Sequence, residues 1–321
     1  MTKTFNSRST TDEVLNGMDL HGKRVFITGV SAGLGFETAR ALVIRGADVI
    51  GTARDIHKND AKLRKAVKAG GGSIEVIAMD LADLASVRSV ADRMVALGEP
   101  FDLVIENAAV MNTPFGHTKD GFELQFGTNF LGHFVLANRL APLMRQGGRL
   151  VVLSSAGHRF ADIDLDDPNF TQTPYDPSVA YGRSKTASAL LAVAFDARHR
   201  ARRVRAASVH PGVIRTELTR NMDPAAFESL FADLLEQHIA LGNPPFELKT
   251  VAQGAATTVW AGIVADADLI GGQYCEDCGV GQILADPGVS IFTPGFLPYA
   301  IDPDRAEALW EKANDMVGEC Y

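Results

Sequence analysis

The sequence predicts an α/β protein of one domain: a doubly wound parallel sheet flanked by helices, with a helical lid over its ligand crevice. Three observations carry that expectation. Short apolar runs of strand length recur along the chain, helical patterns fill the intervals between them, and no Ser/Pro-rich linker interrupts the rhythm. Strand and helix alternating at this pace mean right-handed crossovers into one sheet.

Taken in order, the strands are "RVFIT" (24–28), "DVIGT" (48–52), "SIEVIA" (73–78), "DLVIE" (102–106), "RLVVLSS" (149–155) and "VRAASVH" (204–210). Their apolar side chains follow one another as in strands covered on both faces. Between them, "GFETARALVIRG", "ASVRSVADRMVALG" and "TASALLAVAFDARH" space their apolar residues near the helical period, with glycine or proline at the junctions. The rhythm breaks at 217–249, where an amphipathic helix lies between two proline-bearing stretches. An insertion beyond the carboxyl end of a strand predicts a lid. Its apolar residues Leu218, Met222, Phe227, Leu230 and Phe231 either face an apolar substrate or bury the lid's own helix. The expected layout is an arm at 1–22, a core at 24–216, the lid at 217–249 and a closing segment at 250–321.

With 321 residues, 46% of them hydrophobic and 22% charged, the chain can bury a full core. A net charge of -8 argues against a nucleic-acid surface, which requires clustered cations. The densest basic stretch, "RHRARRVR" (198–205), reads as a solvated helix end. The first twenty residues lack the apolar core of a secretory signal, and no run of eighteen apolar residues follows. A cytoplasmic protein without a membrane span is expected, which suits three cysteines, too few for a disulfide framework. "CEDC" (275–278) has no second pair of ligands for zinc, so its thiols read as structural. The acidic run "DIDLDD" (162–167) lacks the glycine and final Glu of a calcium loop and reads as a solvated loop. No metal site is expected.

Two motifs carry chemistry. The first strand runs directly into "TGVSAGLG" (28–35), whose Gly29, Gly33 and Gly35 allow a tight turn and close backbone approach before a helix. Strand before and helix after is the context in which a helix N-terminus receives a pyrophosphate. The second motif, "YGRSK" (181–185), sets a phenol and an ammonium four residues apart, on one helical face. A cation there would draw the phenol's pKa down from about 10 and let it exchange protons with a substrate.

These motifs, with "NAA" (107–109), Asn129 in "TNFLGHF", Ser155 in "VVLSSAGH" and "HPGVIRTEL" (210–218), resemble the classical short-chain dehydrogenases/reductases, in the family's order. The interval between Ser155 and Tyr181, "LGHF" and "YCEDC" are similar to the branch of the retinol dehydrogenases and the WW-domain oxidoreductase. The resemblance implies a Rossmann-type fold and hydride transfer between a nicotinamide and a carbonyl or alcohol carbon. It makes Tyr181 the proton donor or acceptor, Lys185 its electrostatic partner and a holder of the ribose, Ser155 the hydrogen-bond donor to the substrate oxygen, and Asn129 the holder of a relay water. Ser154, on the opposite face of its strand, is excluded. Tyr175, in a proline-flanked loop without a matching lysine, reads as loop packing or a substrate contact.

The same resemblance gives the cofactor to Gly29, Ser31, Ala32, Gly33, Leu34 and Gly35 of the glycine loop, and to Asn107, Ala108 and Ala109, with alanine where the family usually has glycine. Further on it gives Asp80 and Leu81 near the adenine, and Tyr181, Lys185, Pro211, Gly212, Val213 and Thr216 around the nicotinamide. At the end of the second strand, Ala53 stands where an acid would favour NAD, and Arg54 follows, suited to a 2′-phosphate. NADP is therefore favoured, with NAD kept as the alternative by Asp55, which otherwise caps the next helix. Asp80 is either an adenine contact or a helix cap. The function expected is an NAD(P)-dependent alcohol dehydrogenase or carbonyl reductase acting on a moderately sized apolar molecule. An isomerase or epimerase using the cofactor transiently, and a non-catalytic NADP-sensing protein, are the alternatives. A homodimer or homotetramer paired through the "YGRSK" helix is the implied assembly.

Overall fold

The computed structural model describes residues 4–57, 60–216, 218, 224–243, 245–286 and 288–321, without the side chains at 60, 61, 64, 66, 224, 226, 227 and 230. Eight strands form one sheet: β1 (Arg24–Thr28), β2 (Asp48–Ala53), β3 (Ser73–Ala78), β4 (Phe101–Glu106), β5 (Met144–Leu153), β6 (Arg205–His210), β7 (Tyr274–Glu276) and β8 (Gly279–Val280). Their order is β3-β2-β1-β4-β5-β6-β7-β8. All neighbours are parallel except β7 and β8. The order reverses at β1, beside β4, which opens a crevice at the carboxyl ends of these strands.

The main helices are α1 (Gly33–Ile44), α2 (Asp60–Gly70), α3 (Leu84–Leu97), α4 (Gly132–Leu140), α5 (Pro177–His199), α6 (Pro224–Ala240) and α7 (Pro303–Val317). They cover both faces of the sheet. Along β1, Val25 and Ile27 pack into one core with residues of α1 and 256–265, while Phe26 joins the other with residues of α3, α4, α5 and α7. This period of two, buried on both sides, is why the strands read as continuous apolar runs.

Local signals set the helix ends. Asp83 caps α3 by accepting from the backbone N–H of Ala85 and Ser86, and Gly98 ends it in the left-handed region at φ 68°. Asp176 caps α5 and Pro177 occupies its first turn, so "YGRSK" lies inside the helix rather than ahead of it. Helix α7 seals α4 and α5: Trp310 meets Phe134 edge-on at 4.9 Å and lies 4.0 Å beneath the Arg198 guanidinium.

Two surface expectations are corrected. The basic stretch is not merely solvated: Arg198 pairs with Glu307 at 2.7 Å, Arg202 donates to the carbonyls of Ala141 and Met144, and Arg205 bridges Asp196 and Asp268. Nor is the acidic run a solvated loop. Asp167 is 3% exposed and accepts from the backbone and hydroxyls of Thr171 and Thr173 and the backbone of Gln172. Arg183 donates to its carbonyl and pairs with Asp164, tying the loop to α5.

The lid helix is present as α6, though Met222 and the side chains of Phe227 and Leu230 lie outside the described residues. Phe231 meets Phe292 edge-on, Phe246 stacks on Phe292 at 4.3 Å, and His238 Nδ1 lies 2.8 Å from Ser290 Oγ. The lid's aromatic side therefore packs on the 290–292 segment, which accounts for part of its apolar character.

Candidate active site

The glycine loop leaves β1 at the crevice and enters α1. Its glycines are fixed by neighbours. A Cβ on Gly29 would lie 2.8 Å from Ala108 Cβ, and one on Gly35 would lie 2.2 Å from the Gly29 carbonyl oxygen. Asn107 donates its amide to the carbonyls of Thr28 and Gly29, while Thr28 Oγ1 accepts from the N–H of Asn107 and Ala108. "NAA" thus fastens β4 to the loop. Alanine at 108 and 109 is accommodated with ordinary backbone, since neither has positive φ. Gly33 does have one, +56°, and a Cβ there would lie 3.6 Å from Thr216 Cβ, so the segment after β6 folds over the loop. Ala32, the N-cap of α1, offers no side-chain hydrogen bond, and no acid lies in the first turn. Such a helix start, reached by backbone without a Cβ, fits a dinucleotide phosphate.

Opposite it, every residue of "YGRSK" has a task. Tyr181 is 4% exposed, and it shares one turn with Ser155: a Cβ on Gly157 would lie 2.6 Å from the Tyr181 ring and 3.3 Å from Ser155 Oγ. Gly182 allows α5 to approach the turn after Ser155, for a Cβ there would lie 2.8 Å from the Ala161 nitrogen and 3.0 Å from the Gly157 oxygen. Arg183 holds the acidic loop. Ser184 Oγ accepts from the Asn129 amide at 3.0 Å, and Lys185 Nζ donates to the Leu153 carbonyl at 2.8 Å. Ser154 Oγ points the other way and donates to the Lys185 carbonyl, as strand alternation requires.

The electrostatics differ from the expectation. Burial raises the Tyr181 phenol to about 12, opposed by Ser155, and lowers Lys185 to about 7. Lys185 Nζ stands 5.9 Å from the Tyr181 ring centroid. Both groups sit in low dielectric, where desolvation of each charge outweighs attraction across that distance. The spacing brings the pair to one face, but the protein alone does not lower the phenol.

The Asn129 side chain is held on three sides. It lies in a π-helical turn, Gly127–Leu131, and its amide accepts from the Val110 N–H and donates to the Val110 carbonyl and to Ser184. Its side chain therefore fastens Val110 to α5. The Asn129 carbonyl, in the π-turn, lies 3.0 Å from the buried His133 Nδ1.

Arg54 is exposed just beyond β2, at the crevice. Asp55 does not cap the next helix, which starts at Asp60; it accepts from the His57 N–H in a local turn. Asp80 is not the cap of α3 either, since Asp83 fills that place; Asp80 closes a turn with Ala82 and sits at the end of β3. Leu81 is buried, with its carbonyl against Gly132. Gly212 takes φ +92° beside Pro211, and Val213 accepts from the Lys249 N–H. Tyr175 is loop packing: its hydroxyl donates to the Thr113 carbonyl and accepts from Gln125. The "CEDC" thiols are free and buried, with Asp277 and Cys278 forming the positive-φ pair of a two-residue hairpin turn between β7 and β8. Burial pushes Cys275 up to about 12 and Cys278 to about 11. Among the described residues no cluster of His, Cys, Asp and Glu could hold a metal.

The structure adds residues that the motifs did not single out. His158 and His210 flank Ser155. Lys249 lies against Gly212 and pairs with Asp277 at 2.6 Å. Glu276, at the end of β7, is raised to about 7 by burial and by Asp277. The histidines stand in "AGH" and "HPG", next to motifs already read, and that adjacency was the available signal.

Residues 23–226 match the short chain dehydrogenase family. The chain is 38% identical to oxidoreductase calI of Penicillium decumbens, covering 98% of this chain and 93% of that one. It is 34% identical to retinol dehydrogenase 14 of Mus musculus, over 93% of this chain and 87% of the other. A crystal structure of a Mycobacterium paratuberculosis protein, 32% identical, superposes with a TM-score of 0.71 and covers 95% of this chain and 97% of its own. No described helix is long and apolar enough to cross a membrane.

Proposed function

The chain belongs to the short-chain dehydrogenase/reductase family, on the branch that holds retinol dehydrogenase 14, and from that premise we propose that this NAD(P)-dependent oxidoreductase is an NADP-dependent carbonyl reductase or alcohol dehydrogenase working through Ser155, Tyr181 and Lys185. The observation that carries the reading is the juxtaposition of Ser155 and the Tyr181 ring across Gly157, one helical turn from Lys185, with Ser155 and the glycine loop both at carboxyl ends of parallel strands.

When bound, the nicotinamide cofactor donates a hydride to a carbonyl carbon or takes one from an alcohol. Gly29, Ser31, Ala32, Gly33, Leu34 and Gly35 would hold its phosphates, Arg54 the 2′-phosphate, Asp80 and Leu81 its adenine end. Asn107, Ala108, Ala109, Pro211, Gly212, Val213 and Thr216 would hold the rest. Ser155 orients the substrate oxygen. Tyr181 gives that oxygen its proton: a phenol held at about 12 keeps its hydrogen until negative charge develops beside it, which suits the acid's part in carbonyl reduction. Lys185, buried and anchored to Leu153, sets a cation under the phenol when protonated. Asn129 fixes Val110 and the helix that bears Tyr181.

The aromatic base of the lid, Phe231, Phe246 and Phe292, supports an apolar substrate of moderate size. Three unpaired cysteines support a reducing, cytoplasmic compartment. Pairing of subunits through α5 would require α7 to leave the face it covers, so a homodimer or homotetramer would form on another surface.

The test is a spectrophotometric screen of NADPH oxidation against ketones, aldehydes and quinones, with NADP reduction by alcohols alongside. Turnover of a carbonyl is expected; silence across the panel would remove the reductase reading. Arg54→Asp should move the ratio of specificity constants from NADPH toward NADH by about 10-fold or more, the weight of one charge-assisted contact. An unchanged ratio would take Arg54 off the phosphate.

A further inference from the structure

The peptide bond that follows Ser155 is held at both ends. Its carbonyl, Ser155 O, lies 2.7 Å from His158 Nδ1, and its N–H, on Ala156, donates to His210 Nδ1 at 3.1 Å. These contacts fix the tautomers. The Leu297 N–H donates to His158 Nε2 at 3.2 Å, so that nitrogen is bare and Nδ1 carries the hydrogen given to Ser155. His210 accepts at Nδ1, so its hydrogen is on Nε2. Neither ring can take a second proton without breaking a backbone bond.

The anchors behind the two rings come from distant parts of the chain. His158 is fully buried, its ring 5.2 Å from that of Tyr274, and its carbonyl accepts from the Tyr299 hydroxyl at 2.8 Å. Next to it, Arg159 donates to the carbonyls of Ser290 and Thr293. His210 ends β6. Burial and the cations of Lys249 and Arg159 keep it neutral. The Ser155 hydroxyl accepts from the Gly157 N–H at 3.0 Å, so it rides on the same short turn.

We propose that His158 and His210 are positioning residues for Ser155, two neutral imidazoles of opposite tautomer that clamp the following peptide plane and so aim the serine hydroxyl at Tyr181. The clamp couples the serine to residues 290–299, beneath the lid. It rests on the reading of Ser155 as a catalytic residue, and the experiment separates the two.

The assay uses NADPH and 9,10-phenanthrenequinone with the full chain. His158→Ala and His210→Ala should each lower kcat by about 10- to 100-fold, the scale of a small misplacement of a reacting group, with NADPH affinity within about two-fold of the parent. Asn at either position restores most of the rate, since its amide supplies a donor at 158 and an acceptor at 210 near the place of Nδ1. In a Ser155→Ala background, the same histidine substitutions should cost nothing more in kcat. Full additivity there, or no rescue by Asn, overturns the clamp while leaving Ser155 catalytic. An undiminished rate in Ser155→Ala itself overturns the serine's role and the clamp with it. Independently of turnover, nitrogen-15 NMR of the histidine rings should find His158 protonated at Nδ1 and His210 at Nε2; the reverse of either overturns the proposal.

Discussion

The two ends of the crevice are built on opposite terms. At the glycine loop, placement is a matter of shape: Gly29 and Gly35 touch Ala108, Asn107 and each other at distances that leave no room for a methyl group. At the other end, placement depends on ionisable groups out of water: Tyr181, Lys185, His158, His210 and Glu276 are all shifted by burial. The first arrangement should be indifferent to pH and intolerant of volume. The second should tolerate isosteric change and respond to protons. One end presents backbone to a ligand whose shape is constant, whereas the other must change protonation as it works.

The largest effect tests whether the ends are separable. Tyr181→Phe keeps the ring and removes the proton, so kcat should fall by about 10²- to 10⁴-fold, while NADPH affinity, read by fluorescence titration, stays within about two-fold. A variant that keeps most of its rate would take Tyr181 out of the chemistry. Gly35→Ala probes the opposite end. Its Cβ would meet the Gly29 oxygen at 2.2 Å and Asn107 Nδ2 at 2.4 Å, and the first of these is backbone. A loss of about 3 kcal/mol in urea unfolding is expected, the same at acid and neutral pH. Loss confined to one pH range would mean that shape is not what governs this end.

Legibility followed the same division. Strands β1 to β4 and the glycine loop were readable because each signal is local: an apolar run, a turn, a helix start. Strand β5 starts at Met144 rather than at the expected Arg149, since Gly147 and Gly148 interrupt its apolar pattern and its register shifts against β4 between Phe101 and Leu103. Asp55 and Asp167 depart from their expected roles for one reason: each is an acid whose partners are backbone and hydroxyl groups of a turn, which residue spacing does not reveal. Tyr181 and Lys185 were placed on one face correctly, but spacing carries no information about dielectric, and burial reversed the expected shift. The histidine clamp was out of reach altogether, because Leu297 and Tyr299 come to His158 across 139 and 141 residues.

The smallest effect sharpens the contrast by its dependence on protons. Glu276 is 7% exposed and is raised from 4.5 to about 7 by burial, with Asp277 adding to the shift and Arg159 opposing it. Its folded value lies above its unfolded one, so the native protein holds this proton longer. The stability that the carboxyl contributes is complete below pH 4.5 and is lost as pH rises through about 7. Glu276→Gln keeps the shape and an amide oxygen and removes the titration. At about pH 5 the variant should match the parent, and at about pH 8 it should be more stable by roughly 2 kcal/mol, read as the difference in urea midpoints. Parallel profiles for parent and variant would show that water reaches Glu276 freely, and the contrast between a proton-sensitive end and a shape-sensitive end would then rest on Tyr181, Lys185 and the two histidines alone.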